Sequence, residues 1–151
     1  MNKCAKVVAV NISEKKGTVK HPVDEVVLKE DFGIVGDAHA GPGIRQVSLL
    51  SIESINKFKK LNNGLKGICE GKFAENITTE GITLYELPVG TKIQIGETIQ
   101  QVSQIGKKCH ADQGCQIFKL VGTCIMPKEG IFTTVLKGGK IKAGDKIKVL
   151  N

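Results

Sequence analysis

Glycine punctuates this chain so often that few long regular elements fit between its occurrences: 18 of the 151 residues are Gly. The intervening segments are short and rich in Val, Ile and Thr, residues suited to a pleated, half-buried surface. Such a pattern favours a many-turned, mostly β architecture. Candidate strands are Ala5 to Ile12, Glu25 to Leu28, Gln46 to Leu50, Glu75 to Thr78, Lys92 to Ile95, Thr98 to Ile105, Ile131 to Leu136 and Lys146 to Leu150. Ile93 and Ile95 alternate with Lys92 and Gln94, and Ile147 and Val149 with Lys146 and Lys148, which suits a closed or two-layered sheet.

One segment reads as a helix. Ser51 is placed to cap it, Glu53 falls in its positive first turn, and Ile52, Ile55, Phe58 and Leu61 recur at helical spacing before Asn63-Gly64 ends it. Ile95-Gly96-Glu97 reads as a tight link between two strands, and Gly138-Gly139 and Gly144-Asp145 as turns closing C-terminal hairpins. No repeat or linker interrupts the pattern, so a single domain over residues 1–151 is expected, mostly β with short helices (β or α+β).

A globule of this length buries roughly 68–70% of its unfolded surface, enough for one core without disulfide staples. Apolar residues at 40% and a mean hydropathy of −0.04 exclude both a membrane-embedded chain and a disordered one. The apolar patch Val7 to Val10 is shorter than a signal-peptide core, so a cytoplasmic location without membrane contact is expected. Five cysteines, an odd number, then argue for reduced thiols rather than a disulfide framework.

The net charge of +7 is unevenly spread. Between Gln101 and Asn151 nine bases face three acids, whereas the preceding residues are nearly balanced. Such an excess suits an anionic cofactor, nucleic acid or a merely solvated surface. Nucleic acid is disfavoured, since the chain has no Trp, one Tyr and five Phe to interleave with its lysines.

The same basic third holds Cys109, His110, Cys115 and Cys124, with Lys107 and Lys108 immediately before them. Positive charge stabilises a thiolate over a thiol, so these cysteines are candidates for nucleophilic chemistry, while Cys4 and Cys69 read as packing residues. Structural zinc is a second reading of Cys109, His110, Cys115 and Cys124. Its spacing is unfavourable, because Cys109 and His110 are adjacent and eight residues separate Cys115 from Cys124.

A second constellation, Gly36-Asp37-Ala38-His39-Ala40-Gly41, is followed by Arg45, the only arginine in the chain. Glycines permit a tight loop presenting Asp37 and His39, and a guanidinium grips an oxyanion bidentately, although an ordinary hydrogen-bonded turn fits the same residues. His21, before Pro22, reads as an ordinary loop residue. Glu75 and Asn76 interrupt a strand-like run, where they bond either a ligand or a neighbouring loop.

Together these residues resemble the MOSC domain, the C-terminal module of molybdenum cofactor sulfurases that also occurs as short stand-alone bacterial proteins. The resemblance covers nearly the whole chain. Its carriers are Gly36 to Gly41, Arg45-Gln46-Val47-Ser48-Leu49-Leu50, Gly71-Lys72-Phe73-Ala74-Glu75-Asn76-Ile77-Thr78, Leu87 to Thr91, Gly106 to His110, and Cys124 to Phe132. It implies a compact barrel-like fold and a cysteine that either carries sulfur as a persulfide or contacts molybdenum. Cys115 best matches the cysteine of the longer relatives, and Cys109 and Cys124 belong to the pattern of the small members; Cys109 and Cys115 are the implied metal contacts. A gap of four residues separates Cys109-His110 from Cys115, longer than that pattern has.

The implied cofactor is the molybdenum cofactor, molybdopterin, with Asp37, His39, Arg45, Glu75, Asn76, Lys107, Lys108 and His110 lining or shaping its pocket. No pyridoxal phosphate is expected in this chain, so a cysteine desulfurase or other sulfur donor would be a separate partner, alongside cofactor-biosynthesis proteins or molybdoenzymes. The implied function is cofactor binding or sulfur carriage in cofactor maturation and metal–sulfur delivery. The alternatives are a molybdenum-dependent reductase of N-hydroxylated compounds and a basic nucleic-acid-binding barrel.

Overall fold

The structure is a computed structural model that describes residues 5–15, 20–38, 40–61, 75–106 and 130–150, with side chains of the helix as far as Lys57. Its elements are β1 (Ala5–Ile12), β2 (His21–Val23), β3 (Glu25–Lys29), β4 (Gly33–Ile34), β5 (Val47–Ser51), α1 (Ile52–Leu61), β6 (Ile77–Glu80), β7 (Lys92–Ile95), β8 (Thr98–Ile105), β9 (Ile131–Lys137), β10 (Gly139–Lys142) and β11 (Lys146–Val149), with a 3-10 turn at Leu84–Glu86. Strands pair in the order β11-β7-β8-β9-β5-β6-β1, and β11 pairs back onto β1, closing a seven-stranded barrel.

β1 serves three neighbours. One edge pairs with β6, while the other is shared by β11 at Ala5–Lys6 and by β2 at Val10–Ile12. β10, β3 and β4 form a second, three-stranded sheet. The alternation anticipated from the sequence sets the barrel interior: Ile93 and Ile95 of β7 point into the core, as do Val7, Val10, Leu49, Ile77, Ile131 and Ile147. The small sheet adds Val26, Leu28, Ile34 and Ile141 to that same core. Each such side chain contributes roughly 1.5–3 kcal/mol when fully buried.

Register shifts bend the barrel wall. In β8–β9 the pairing passes from Val102↔Thr133 to Gln104↔Phe132, so Ser103 is an extra residue on β8. Bulges increase local twist and re-aim side chains. Here the Ser103 hydroxyl leaves the ladder to donate to the carbonyl of Ile44, in the loop before β5.

The parallel pair β5–β6 requires a crossover, and α1 lies within it, against both strands. The cap is as anticipated: Ser51 Oγ accepts the Ser54 amide at 3.1 Å. Glu53 reaches across to accept the Gly81 amide at 2.8 Å, tying the first turn to the end of β6. Ser51→Ala is expected to cost about 1–2 kcal/mol; urea unfolding checks it, and a loss under about 0.3 kcal/mol would deny the cap.

The C-terminal turns need correction. Gly96-Glu97 does join paired strands, with Ile95 opposite Thr98. Gly138-Gly139 and Gly144-Asp145 close no hairpin: β9 and β11 belong to the barrel, whereas β10 between them pairs with β3. The chain changes sheet at these glycines. A Cβ on Gly138 would stand 2.5 Å from the Leu28 carbonyl oxygen, so only glycine allows β10 to approach β3 this closely.

Candidate functional site

The end of β1 is where the candidate residues meet. A row of hydrogen-bonded positions runs across the barrel wall: Asn11 donates its amide to the Asn76 carbonyl, Asn76 donates to that of Ser48, Ser48 lies opposite Phe132, and Phe132 opposite Gln104. The adjacent row, Val10, Ile77, Leu49 and Ile131, fills the barrel core. Side chains alternate along a strand, so the polar row faces outward, and yet Asn11, Ser48 and Asn76 are buried.

Burial of so many polar atoms demands partners. Asn76 Oδ1 accepts the Ser48 amide (3.0 Å) and hydroxyl (3.1 Å), and its Nδ2 donates to the Asn11 carbonyl (3.2 Å). Asn11 Nδ2 donates to the Glu75 carbonyl and to Thr78 Oγ1, and Thr78 in turn donates to Glu75 Oε2 at 2.8 Å. One amide side chain thus ties β1, β5 and the start of β6 together.

Two residues further along β1's path, Ser13 receives the first loop. Its amide donates to Asp37 Oδ1 at 3.1 Å, and its carbonyl accepts the Ala38 amide at 2.8 Å. Lys20 Nζ also donates to Asp37 Oδ1, at 2.7 Å, and to Ser13 Oγ at 3.2 Å. Both charged side chains are 1% exposed, so this ion pair is screened little by solvent.

The second half of the loop is held by β8, β9 and Gln46. Arg45 donates Nε–H to Gln104 Oε1 at 2.9 Å and stacks over Phe132, its carbon Cζ 5.6 Å from the ring centroid. The residue is exposed, and a guanidinium carries five N–H donors, of which the bond to Gln104 uses one. Gln46 is buried: Oε1 accepts the Val135 amide at 2.9 Å, while Nε2 donates to Asp31 and to the Gly43 carbonyl.

The structure therefore gathers Asp37, Glu75 and Asn76 at the end of β1 as a buried hydrogen-bonded wall, and mounts Arg45 on the outer end of the same row. His39, Cys109, Cys115, Cys124, Lys107, Lys108 and His110, like Cys4 and Cys69, lie outside the described residues. Among the described residues no group of three His, Cys, Asp or Glu is placed to hold a metal. Sequence reasoning missed Asn11, Ser13, Lys20, Gln46 and Gln104 as members. Asn11 and Ser13 close an apolar strand, and Gln46 opens one; a polar residue at a strand end carries no signal separating internal struts from solvated ends. A shallow groove of about 330 Å³ lies between the start of α1 and the Gly81–Tyr85 segment, lined by Ser51, Glu53, Ser54, Lys57 and Tyr85 among others.

An exposed guanidinium with unused N–H donors can grip an oxyanion bidentately. Arg45 is contacted by Gln104 and by the Phe132 ring, and has no carboxylate in ion-pair contact among the described residues.

Comparison with solved structures places the fold. YuaD from Bacillus subtilis superposes with a TM-score of 0.80 at 22% identity, covering 97% of this chain and 96% of that one. YiiM from Escherichia coli gives 0.70 at 22% identity, covering 99% of this chain and 70% of its own. YiiM from Geobacillus stearothermophilus gives 0.72 at 20% identity, covering 97% and 75%. No curated protein matches. No helix among the described residues is long and apolar enough to cross a membrane. The family model described as MOSC domain matches residues 36–148, from the loop of Asp37 to the last barrel strand, and the chain therefore belongs to the MOSC family of molybdenum-cofactor-related domains.

Proposed function

We propose that the protein binds the molybdenum cofactor or carries sulfur for its maturation and for metal–sulfur delivery, using a reactive cysteine. The observation that carries this reading is the family match over residues 36–148, which takes in Asp37, Arg45, Glu75 and Asn76 together with Cys109, Cys115 and Cys124. Arg45 would hold the pterin phosphate through its Nη donors, where a bidentate guanidinium outperforms an ammonium. Asp37, Glu75 and Asn76 act from behind, fixing the wall that carries the loop.

For sulfur carriage, Lys107 and Lys108 favour the thiolate of a nearby cysteine, Cys109 or Cys115, with Cys124 as a further candidate. That thiolate attacks the outer sulfur of a donor persulfide, supplied by a separate desulfurase. A new S–S bond forms on this chain, the donor's S–S bond breaks, and the donor departs as a thiolate. The cofactor, when bound, would supply the metal centre to which the sulfur is delivered; a second thiol would release it as sulfide, breaking the carrier's S–S bond and leaving a disulfide that a dithiol reductant reopens.

Loading with a desulfurase and free cysteine, followed by intact-mass measurement, tests the reading. The wild type is expected to gain about 32 Da, one sulfur, reversed by reductant. Cys109→Ser, Cys115→Ser and Cys124→Ser should between them abolish the gain at one or two positions. An undiminished gain in all three would sink the carrier. Molybdenum and pterin retained through purification test the binding arm. Arg45→Ala should reduce retention by about tenfold or more, the worth of a charge-assisted pair, and Arg45→Lys should restore only part of it. Retention unchanged in Arg45→Ala would remove that residue from the site.

A further inference from the structure

Lys20 is buried beside Asp37, and nothing in the proposed chemistry uses its ammonium. A buried ion pair is a poor way to gain stability. Desolvating two charges costs several kcal/mol, and well-packed apolar replacements of such pairs are often neutral or stabilising. What a buried pair does supply is a demand for one geometry, because each charge tolerates no alternative neighbour. The surroundings here are tightly specified: Asp37 Oδ1 receives both Lys20 Nζ and the Ser13 amide, and the Ser13 hydroxyl receives Lys20 as well.

The loop's far end is anchored by the Gly41 amide, which donates to the Phe32 carbonyl at 2.7 Å, and the stretch before it is held more lightly. Gly36 and Gly41 hold φ of 91° and 149°, and nothing described lies within 4 Å of where a Cβ would stand on either. Between those hinges the Asp37 amide reaches Ile34 and the Ala40 amide reaches Asp37, both local contacts at 3.2 Å. Between the two hinges, the described bonds from Asp37 and Ala38 to another part of the fold run to Ser13 and Lys20.

We infer that Lys20 is a positioning residue: its ammonium, acting through Asp37, sets the place of the Gly36–Gly41 loop against the end of β1. Asp37 on this view is a strut, not a ligand contact. The inference rests on the proposed function only for its consequence, that a displaced loop impairs the cofactor site. Its structural content stands alone.

Hydrogen exchange on the full chain, read by mass spectrometry beside thermal melting, tests it. In the wild type the Ala38 and Ala40 amides should exchange about a hundredfold more slowly than in an unfolded chain. Lys20→Met should lower the melting temperature and speed exchange over residues 35–41 about tenfold or more. The double variant K20M/D37L should recover most of the lost melting temperature and still exchange fast in this loop, with β5 and β8 unchanged. A pair that merely stabilised would regain both together. Asp37→Asn, a gentler change that keeps the carboxylate's shape and removes its charge, should also speed loop exchange while β5 and β8 hold. Wild-type loop exchange in Lys20→Met, in K20M/D37L or in Asp37→Asn overturns the inference. A wild type carrying neither persulfide nor pterin would end the proposed function and leave the exchange result standing.

Discussion

Gly33→Ala is expected to destabilise the protein by about 4 kcal/mol, the sum of backbone strain and overpacking at one site. Gly33 holds φ at 118°, where an L side chain is strained, and a Cβ there would stand 2.4 Å from the carbonyl oxygen of Gln46. That neighbour cannot yield cheaply. The Gln46 amide bonds the Thr133 carbonyl, and its side chain joins Val135, Asp31 and Gly43. Moving the backbone by the ångström required would break contacts that hold the loop bearing Arg45. For a chain of this size the loss corresponds to a fall of roughly 10 °C in melting temperature. Gly36→Ala is the control: φ is also positive, at 91°, but nothing described crowds the site, so only strain remains, about 1 kcal/mol or slightly more. Equal losses in the two variants would show that the close approach to Gln46 is not what requires Gly33.

Most of the barrel was legible because its signals are local. Ala5–Ile12, Lys92–Ile95 and Thr98–Ile105 coincide with the strands read from alternation and flanking turns, and the start of α1 is where Ser51 and Glu53 place it. The shortest strands were not legible. β2 and β4 have three and two residues, too few for any period to register, and they exist because longer neighbours offer an edge. β10 carries glycine and alternating lysines, so its pairing with β3 depends on close backbone approach rather than on propensity.

The site was legible in part for a related reason. A glycine-bounded loop with a lone arginine, and an acid–amide pair breaking a strand, are visible as departures from pattern, and both do converge on the end of β1. The residues that hold them are ordinary in sequence. Lys20 reads as one lysine among many until a carboxylate is found 2.7 Å from its Nζ, in a place without solvent. Ser103 looks like any strand residue until the bulge turns its hydroxyl toward Ile44. Long-range partners of this kind become apparent only when the barrel closes: Asp37, Glu75 and Asn76 stood out in the sequence, but the buried bonds to Ser13, Lys20, Asn11 and Ser48 that make them struts did not.

Asn76→Ala is expected to cost about 3–5 kcal/mol, the loss of several buried hydrogen bonds whose partners stay behind. Its carboxamide satisfies the Ser48 amide and hydroxyl on one side and donates to the Asn11 carbonyl on the other, all in a place 1% exposed. No smaller side chain spans that gap. Ser48→Ala removes only the hydroxyl and leaves the backbone bond between Asn76 and the Ser48 carbonyl, 2.9 Å, in place, so about 1 kcal/mol is expected. Because both substitutions strip one network, the double variant should lose less than the sum of the two single losses. Urea unfolding of the four proteins makes the comparison at constant slope. A ligand-facing Asn76 would behave differently: its truncation would leave stability within about 0.5 kcal/mol of the wild type and change only cofactor retention. A large, non-additive loss assigns Asn76 to the frame of the barrel, where its carboxamide joins β1 to β5.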